Sequence, residues 1–100
     1  MRIVALKALR DFWRLYPDAE QPLKSWADEV RKAAWRQPAD IKITFRNVSI
    51  LQNSRAVFNI RGNHYRLIVS VAYGFEAVYV KFLGTHAQYD AVDALTVEWE

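Results

Sequence analysis

The chain contains no cysteine, which removes disulfide frames, thiolate nucleophiles and cysteine-based zinc sites together. Three glycines and three prolines in 100 residues are too few for a glycine-rich phosphate loop or a flexible linker, so a single small domain is expected over 1–100. No apolar run approaches the ~20 residues of a membrane span, and the opening MRIVALKALRDFW lacks a sustained apolar signal core. A soluble, cytoplasmic domain is therefore expected. Acids are missing where bases collect: residues 41–75 hold five Lys/Arg and no Asp or Glu, against eight and six in 1–40 and one and five in 76–100. A cationic middle between a nearly balanced and an acidic flank is the footprint of a polyanionic partner. A merely solvated basic face is the plainer alternative.

What is present is apolar and aromatic. The 52% hydrophobic content, with four Trp, five Tyr and five Phe, argues for a packed core. Leu6, Leu9, Phe12/Trp13 and Tyr16 recur at helical spacing, which predicts a helix over 5–16 stopped by Pro17. Asp18 offers an N-cap, with Gln21 three residues on. A second helix to about Arg36 shows Leu23, Trp26, Ala27, Val30 and Ala33/Ala34 as its stripe. These two helices are expected to form a hairpin packed on one face of a sheet. Arg2-Ile3-Val4 suggests an edge strand, and alternating Ile41, Ile43 and Phe45 suggest an extended segment within 38–54, before the loop Gln52-Asn53-Ser54.

The organising stretch is 55–90. Gly62-Asn63 between alternating runs signals a hairpin, and Tyr73-Gly74 offers the next reversal. Strands are thus expected near 55–60, 65–72 and 76–83. If both turns are two residues long, Arg61 faces His64, Asn59 faces Arg66, and Arg66 also faces Lys81. One face then carries Ala56, Phe58, Ile60, Tyr65, Leu67, Val69, Val78, Val80 and Phe82 as core. The other carries Arg55, Asn59, Arg61, His64, Arg66, Tyr79 and Lys81. Opposed cations cost stability, about 0.2–1 kcal/mol. With no acid expected on that face, their pairing makes sense as a place for an anion. Gly84 should end the third strand and Thr85 cap a helix to about Ala94, with Leu95, Val97 and Trp99 as a last strand.

His86, Tyr89 and Asp90 fall at i, i+3 and i+4, on one side of that helix and close in sequence to Lys81. Histidine is the commonest proton-transfer group near neutrality, Tyr89 can stack or donate a hydrogen bond, and Asp90 can orient an imidazole. A capped terminal helix with one surface histidine is the plainer alternative. Two histidines and one nearby carboxylate are a poor metal set, and Ser70 lacks a nucleophile elbow. No cofactor is expected. What remains is metal-free work on a phosphate backbone; for RNA, a neighbouring 2′-hydroxyl can attack the phosphorus while cationic side chains steady the developing charge.

Val57-Phe58-Asn59-Ile60-Arg61-Gly62-Asn63-His64-Tyr65-Arg66-Leu67-Ile68, followed by Thr85-His86-Ala87-Gln88-Tyr89-Asp90, closely resembles the two long motifs of HigB toxins of the RelE superfamily, in the same order and separation. The resemblance extends over nearly the whole chain. It implies an α+β fold, a small twisted antiparallel sheet of three central strands plus edge strands, with two N-terminal helices on one face. It further implies a bacterial type II toxin that cleaves mRNA, usually on the ribosome. The implied partner is a HigA-type helix-turn-helix antitoxin, with operator DNA reached only through their complex. On that likeness Arg66, Lys81, His86, Tyr89 and Asp90 are the catalytic candidates, and Arg55, Asn59, Arg61, Asn63, His64 and Tyr79 are the RNA-binding ones. Gyrase-directed toxins share the fold, and a non-catalytic RNA-binding module would use the same cations. Both stay open on the sequence.

Overall fold

The structure, a computed structural model, describes residues 1–99. The chain runs β1 (Arg2–Val4), α1 (Leu6–Leu15), α2 (Glu20–Lys32), α3 (Pro38–Thr44), β2 (Ser49–Ile50), β3 (Arg55–Ile60), β4 (Tyr65–Ala72), β5 (Ala77–Thr85) and α4 (His86–Asp90). The five strands form one sheet in the order β1-β5-β4-β3-β2. It is antiparallel except at one edge, where β1 joins β5 in parallel with Ile3 opposite Val78. This α+β arrangement is the expected one, including the short edge strand at Arg2-Ile3-Val4. No described helix is long and apolar enough to cross a membrane.

The helices cover one sheet face because their apolar spacing gives each a single buried stripe. Ala8, Leu9 and Phe12 from α1 and Leu23, Trp26, Ala27 and Val30 from α2 enter the core. There they join Ala56, Phe58, Ile60, Tyr65, Leu67, Val69, Val78 and Val80 from the sheet. Each large apolar side chain so buried contributes about 1.5–3 kcal/mol by removal from water. The edge-on contacts of Trp26 and Phe45 with Phe58 add directional packing at its centre.

Four local expectations are corrected. Asp18 does not cap α2: Pro17–Ala19 make a 3-10 turn, Ala19 precedes the helix, and the Asp18 carboxylate points to the sheet. The helix also closes at Lys32, short of Arg36. Residues 38–44 are helical rather than extended, because Pro38 fits the first helical position and Asp40 accepts the backbone N–H groups of Arg36 and Gln37 at 2.9 and 3.3 Å. Ile41 is buried there, but Ile43 is 80% exposed, so the alternation marked no strand face. Beyond α4, which ends at Asp90, residues 91–99 form no strand. Asp93 folds them into a turn, accepting from the N–H of Leu95 through its side chain and of Thr96 and Val97 through its carbonyl.

Candidate active site

The first hairpin has the register read from its turn: Ile60 pairs with Tyr65, Asn59 with Arg66 and Phe58 with Leu67. Gly62 takes a left-handed φ of +59°, which an L side chain resists, and His64 N–H closes the turn on Arg61 C=O at 3.2 Å. This tip is pinned from the helical layer. The Tyr65 hydroxyl donates to Asp18, whose second oxygen lies 3.3 Å from Arg61 Nε.

Burial, reinforced by the hydrogen bond and charge of Asp18, pushes the Tyr65 phenol up to about 12 from its ordinary 10.0. The folded state thus holds this proton more tightly than the unfolded chain. Its contribution to stability is complete below about pH 10 and is lost as pH rises toward 12. Tyr65→Phe should remove that segment of the alkaline unfolding curve, as read by circular dichroism and phenolate absorbance.

The second reversal differs from expectation, and with it the site. Tyr73–Phe75 form a 3-10 turn closed by Glu76 in the left-handed region, so the loop spans four residues, with Ala72 opposite Ala77. Val69 then pairs with Val80 while Ile68 pairs with Phe82, leaving Lys81 as the extra residue of a bulge. The longer loop shifts the pairing by an even number and keeps the faces, whereas the bulge adds one and exchanges them. Arg66 consequently lies opposite Gly84, not Lys81, and Leu83 replaces Phe82 in the core. The consecutive apolar pair Phe82-Leu83 was the one sequence sign of this break.

Arg66 is only 9% exposed. Its Nη2 donates to Asn63 Oδ1 at 2.5 Å and its Nη1 to the carbonyls of Asn63 and Tyr65 at 3.4 and 3.3 Å. Tyr89 presents its ring 5.8 Å from the guanidinium carbon. All these partners are neutral, and no carboxylate among the described residues lies within ion-pair distance of Arg66. A nearly buried cation without a counter-ion is costly unless an anion is bound there.

The helix α4 is set against this guanidinium by local rules. Thr85 caps it, accepting from Gln88 N–H at 3.1 Å while Gln88 Oε1 accepts from Thr85 N–H at 2.9 Å. His86 N–H reaches back to His64 C=O at 3.0 Å, joining the helix start to the hairpin tip. The His86 imidazole is half exposed, with Nδ1 3.7 Å from Asp90 Oδ2. Asn63, His64, Arg66, His86, Tyr89 and Asp90 are thereby gathered at one end of the outer sheet face. A cleft of about 600 Å³ lined by Arg46, Asn47, Asn59, Gly62 and Asn63 adjoins them.

Gly84 makes this fit possible. A Cβ there would come within 2.6 Å of the Phe82 ring and 2.7 Å of Gln88 Oε1, the capping oxygen. Gly84→Ala should therefore destabilise the fold by about 1–3 kcal/mol and displace α4 from Arg66, measurable as a lowered melting temperature.

The other sequence candidates lie elsewhere. Tyr79 pairs with Ser70, toward the far end of β5, and Arg61 is engaged by Asp18. The outer face is also not free of acid, contrary to expectation, because residues 91–99 bring Glu98 to it. Glu98 binds Arg55 Nη2 and Lys81 Nζ, each at 2.7 Å. Sequence reasoning missed Glu98 and Asp18 as partners, whereas the pairing of Gln88 with the Thr85 cap is the one their spacing predicts. Among the described residues no three His, Asp or Glu side chains converge as a metal set.

Residues 19–92 match the family model described as HigB_toxin, RelE-like toxic component of a toxin-antitoxin system. The chain is 26% identical over 97 residues to the mRNA interferase toxin HigB of Escherichia coli (strain K12), covering 95% of this chain and 93% of that protein. The same figures hold for the mRNA interferase HigB of Escherichia coli O157:H7 and of Shigella flexneri.

Proposed function

Because the chain belongs to the HigB family of RelE-like toxins, we propose that it is an endoribonuclease cutting mRNA, with Arg66 at the reactive phosphate and His86 moving the proton. The observation that carries this reading is the guanidinium of Arg66, which has no counter-ion among the described residues and is flanked by an aromatic ring and a half-exposed imidazole. In the reaction the 2′-oxygen bonds to phosphorus, its proton passes to a base, and the bond from phosphorus to the 5′-oxygen breaks. The departing 5′-oxygen takes a proton, leaving a 2′,3′-cyclic phosphate and a 5′-hydroxyl. Arg66 stabilises the charge that builds on the phosphoryl oxygens. His86 exchanges the proton, with Asp90 orienting its ring, and Tyr89 stacks on a base beside the break. Asn63 positions Arg66, and Asn59 with Arg46 guides the flanking strand into the adjoining cleft.

The names of the Escherichia coli and Shigella flexneri relatives support the choice of mRNA. Cleavage in the cytoplasm during translation on the ribosome, and neutralisation by a HigA-type helix-turn-helix antitoxin whose complex holds operator DNA, complete the proposal. Transcript-end mapping after brief induction tests it. New 5′-hydroxyl ends within translated messages are expected, and no cleavage when the substrate is DNA. A DNA-damage response without new RNA ends would favour a gyrase-directed toxin instead.

A further inference from the structure

The C-terminal segment 91–99 occupies the half of the outer face that the proposed cleavage site leaves aside. Arg55 holds it most firmly: Nη1 donates to the carbonyls of Ala94 and Val97 at 3.1 and 2.7 Å, and Nη2 to Glu98 Oε2. Only 6% of the Arg55 side chain stays exposed. Lys81, which follows core-facing Val80 and so lies on the same face, takes the other carboxylate oxygen, Oε1. Two cationic donors thus grip the two oxygens of one anion. The two non-bridging oxygens of a phosphodiester present the same pair of acceptors.

The position relative to Arg66 makes one continuous track. Arg55 pairs with Ser70, four residues along β4 from Arg66, roughly 13 Å at strand spacing. A single RNA strand therefore spans both places within a few nucleotides. Residues 41–75 contain no acid, so the carboxylate that closes this track has to arrive from another part of the chain. It arrives on a side chain that is 60% exposed, so the carboxylate lies within reach of solvent while its partners Arg55 and Lys81 lie beneath it. The flanking cations hold the Glu98 carboxyl below its ordinary range, Lys81 most strongly, so it stays charged and competes as an anion.

We propose that Arg55 and Lys81 form a second phosphodiester subsite and that Glu98 is its built-in competitor, displaced only by RNA long enough to reach it from Arg66. The proposal rests on the reading of Arg66 as the phosphate site. Its consequence is a length threshold: short RNAs meet Arg66 alone, and longer ones gain a contact at the cost of lifting residues 91–99.

The test is binding of 2′-O-methyl RNA, which cannot be cleaved, to the full chain by fluorescence anisotropy, using a dinucleotide and a longer oligonucleotide. Glu98→Gln should bind the longer RNA roughly tenfold tighter, as for one gained charge-assisted hydrogen bond, and the dinucleotide unchanged. Asp28→Asn, an equal charge change on α2, should give no gain. Lys81→Gln should erase the gain in the Glu98→Gln background while costing little alone. Melting curves confirm that each variant is folded. Equal gains for both RNAs, no gain, or a Lys81 effect independent of Glu98 would each overturn the competitor role. Arg66→Gln separates the two claims. Loss of both RNAs upholds the Arg66 reading whatever Glu98 does, and unchanged binding removes that reading while the Glu98–Lys81 coupling still decides the subsite. If no protein binds either RNA, both claims fall.

Discussion

Arg66→Ala is expected to lower RNA cleavage by about 10²–10³-fold, the usual effect of removing a preorganised donor to a developing oxyanion. The guanidinium already stands in place before substrate arrives. Asn63 takes one nitrogen, backbone carbonyls take the other, and the Tyr89 ring flanks it. Little reorganisation remains for the moment of reaction. Arg66→Lys should recover only a fraction, because an ammonium keeps the charge but cannot span Asn63 and Tyr65 with one planar fork. Cleavage of a translated message in a reconstituted translation reaction is the measurement, with a melting curve as control. Unimpaired cleavage by a folded Arg66→Ala protein would remove the centre of the proposed site.

His86→Ala should cost about 10²–10⁴-fold, the range for a positioned acid–base group. Substrate binding should survive, since the imidazole lies at the rim and the phosphate contact belongs to Arg66. The pH–rate profile should also lose one of its limbs, which a purely structural role for His86 would not produce. Asp90→Asn should give a smaller loss, because the 3.7 Å separation of its carboxylate from His86 Nδ1 orients the ring rather than holding it tightly. A His86→Ala profile superimposable on that of the parent would move proton transfer to another group.

The two variants divide the site along the line by which it was legible. His86, Tyr89 and Asp90 share a helix side by spacing alone, and the Thr85–Gln88 cap could be read directly from residues three apart. Gly62 marked the first hairpin, because the left-handed backbone there suits glycine, and so Asn59 opposite Arg66 followed, although the second left-handed residue of the turn is Arg61 rather than Asn63. The partnership of Arg66 with Lys81 did not survive. It depended on the length of a second turn whose residues, Tyr73 to Glu76, carry no comparable demand, and on a bulge that alternation treats as noise. The segment 38–44 failed for a similar reason. Over so few residues, period two and a single helical turn are hard to tell apart, and the Pro38 and Asp40 end signals outweighed the alternation.

What the amino-acid order determined by itself was local: where helices begin, which turn is tight, which faces are apolar, and that bases gather away from acids. Each of these is settled by interactions among near neighbours, whose geometry is the same in any fold. Which cations stay open was decided only by tertiary structure. Arg55 and Lys81 are closed by Glu98 and Arg61 by Asp18, while among the described residues Arg66 meets neutral atoms alone. Electrostatic pairing depends on distance in space, and residues 43 and 17 positions apart in the chain can meet only after the sheet and its C-terminal segment have folded around them.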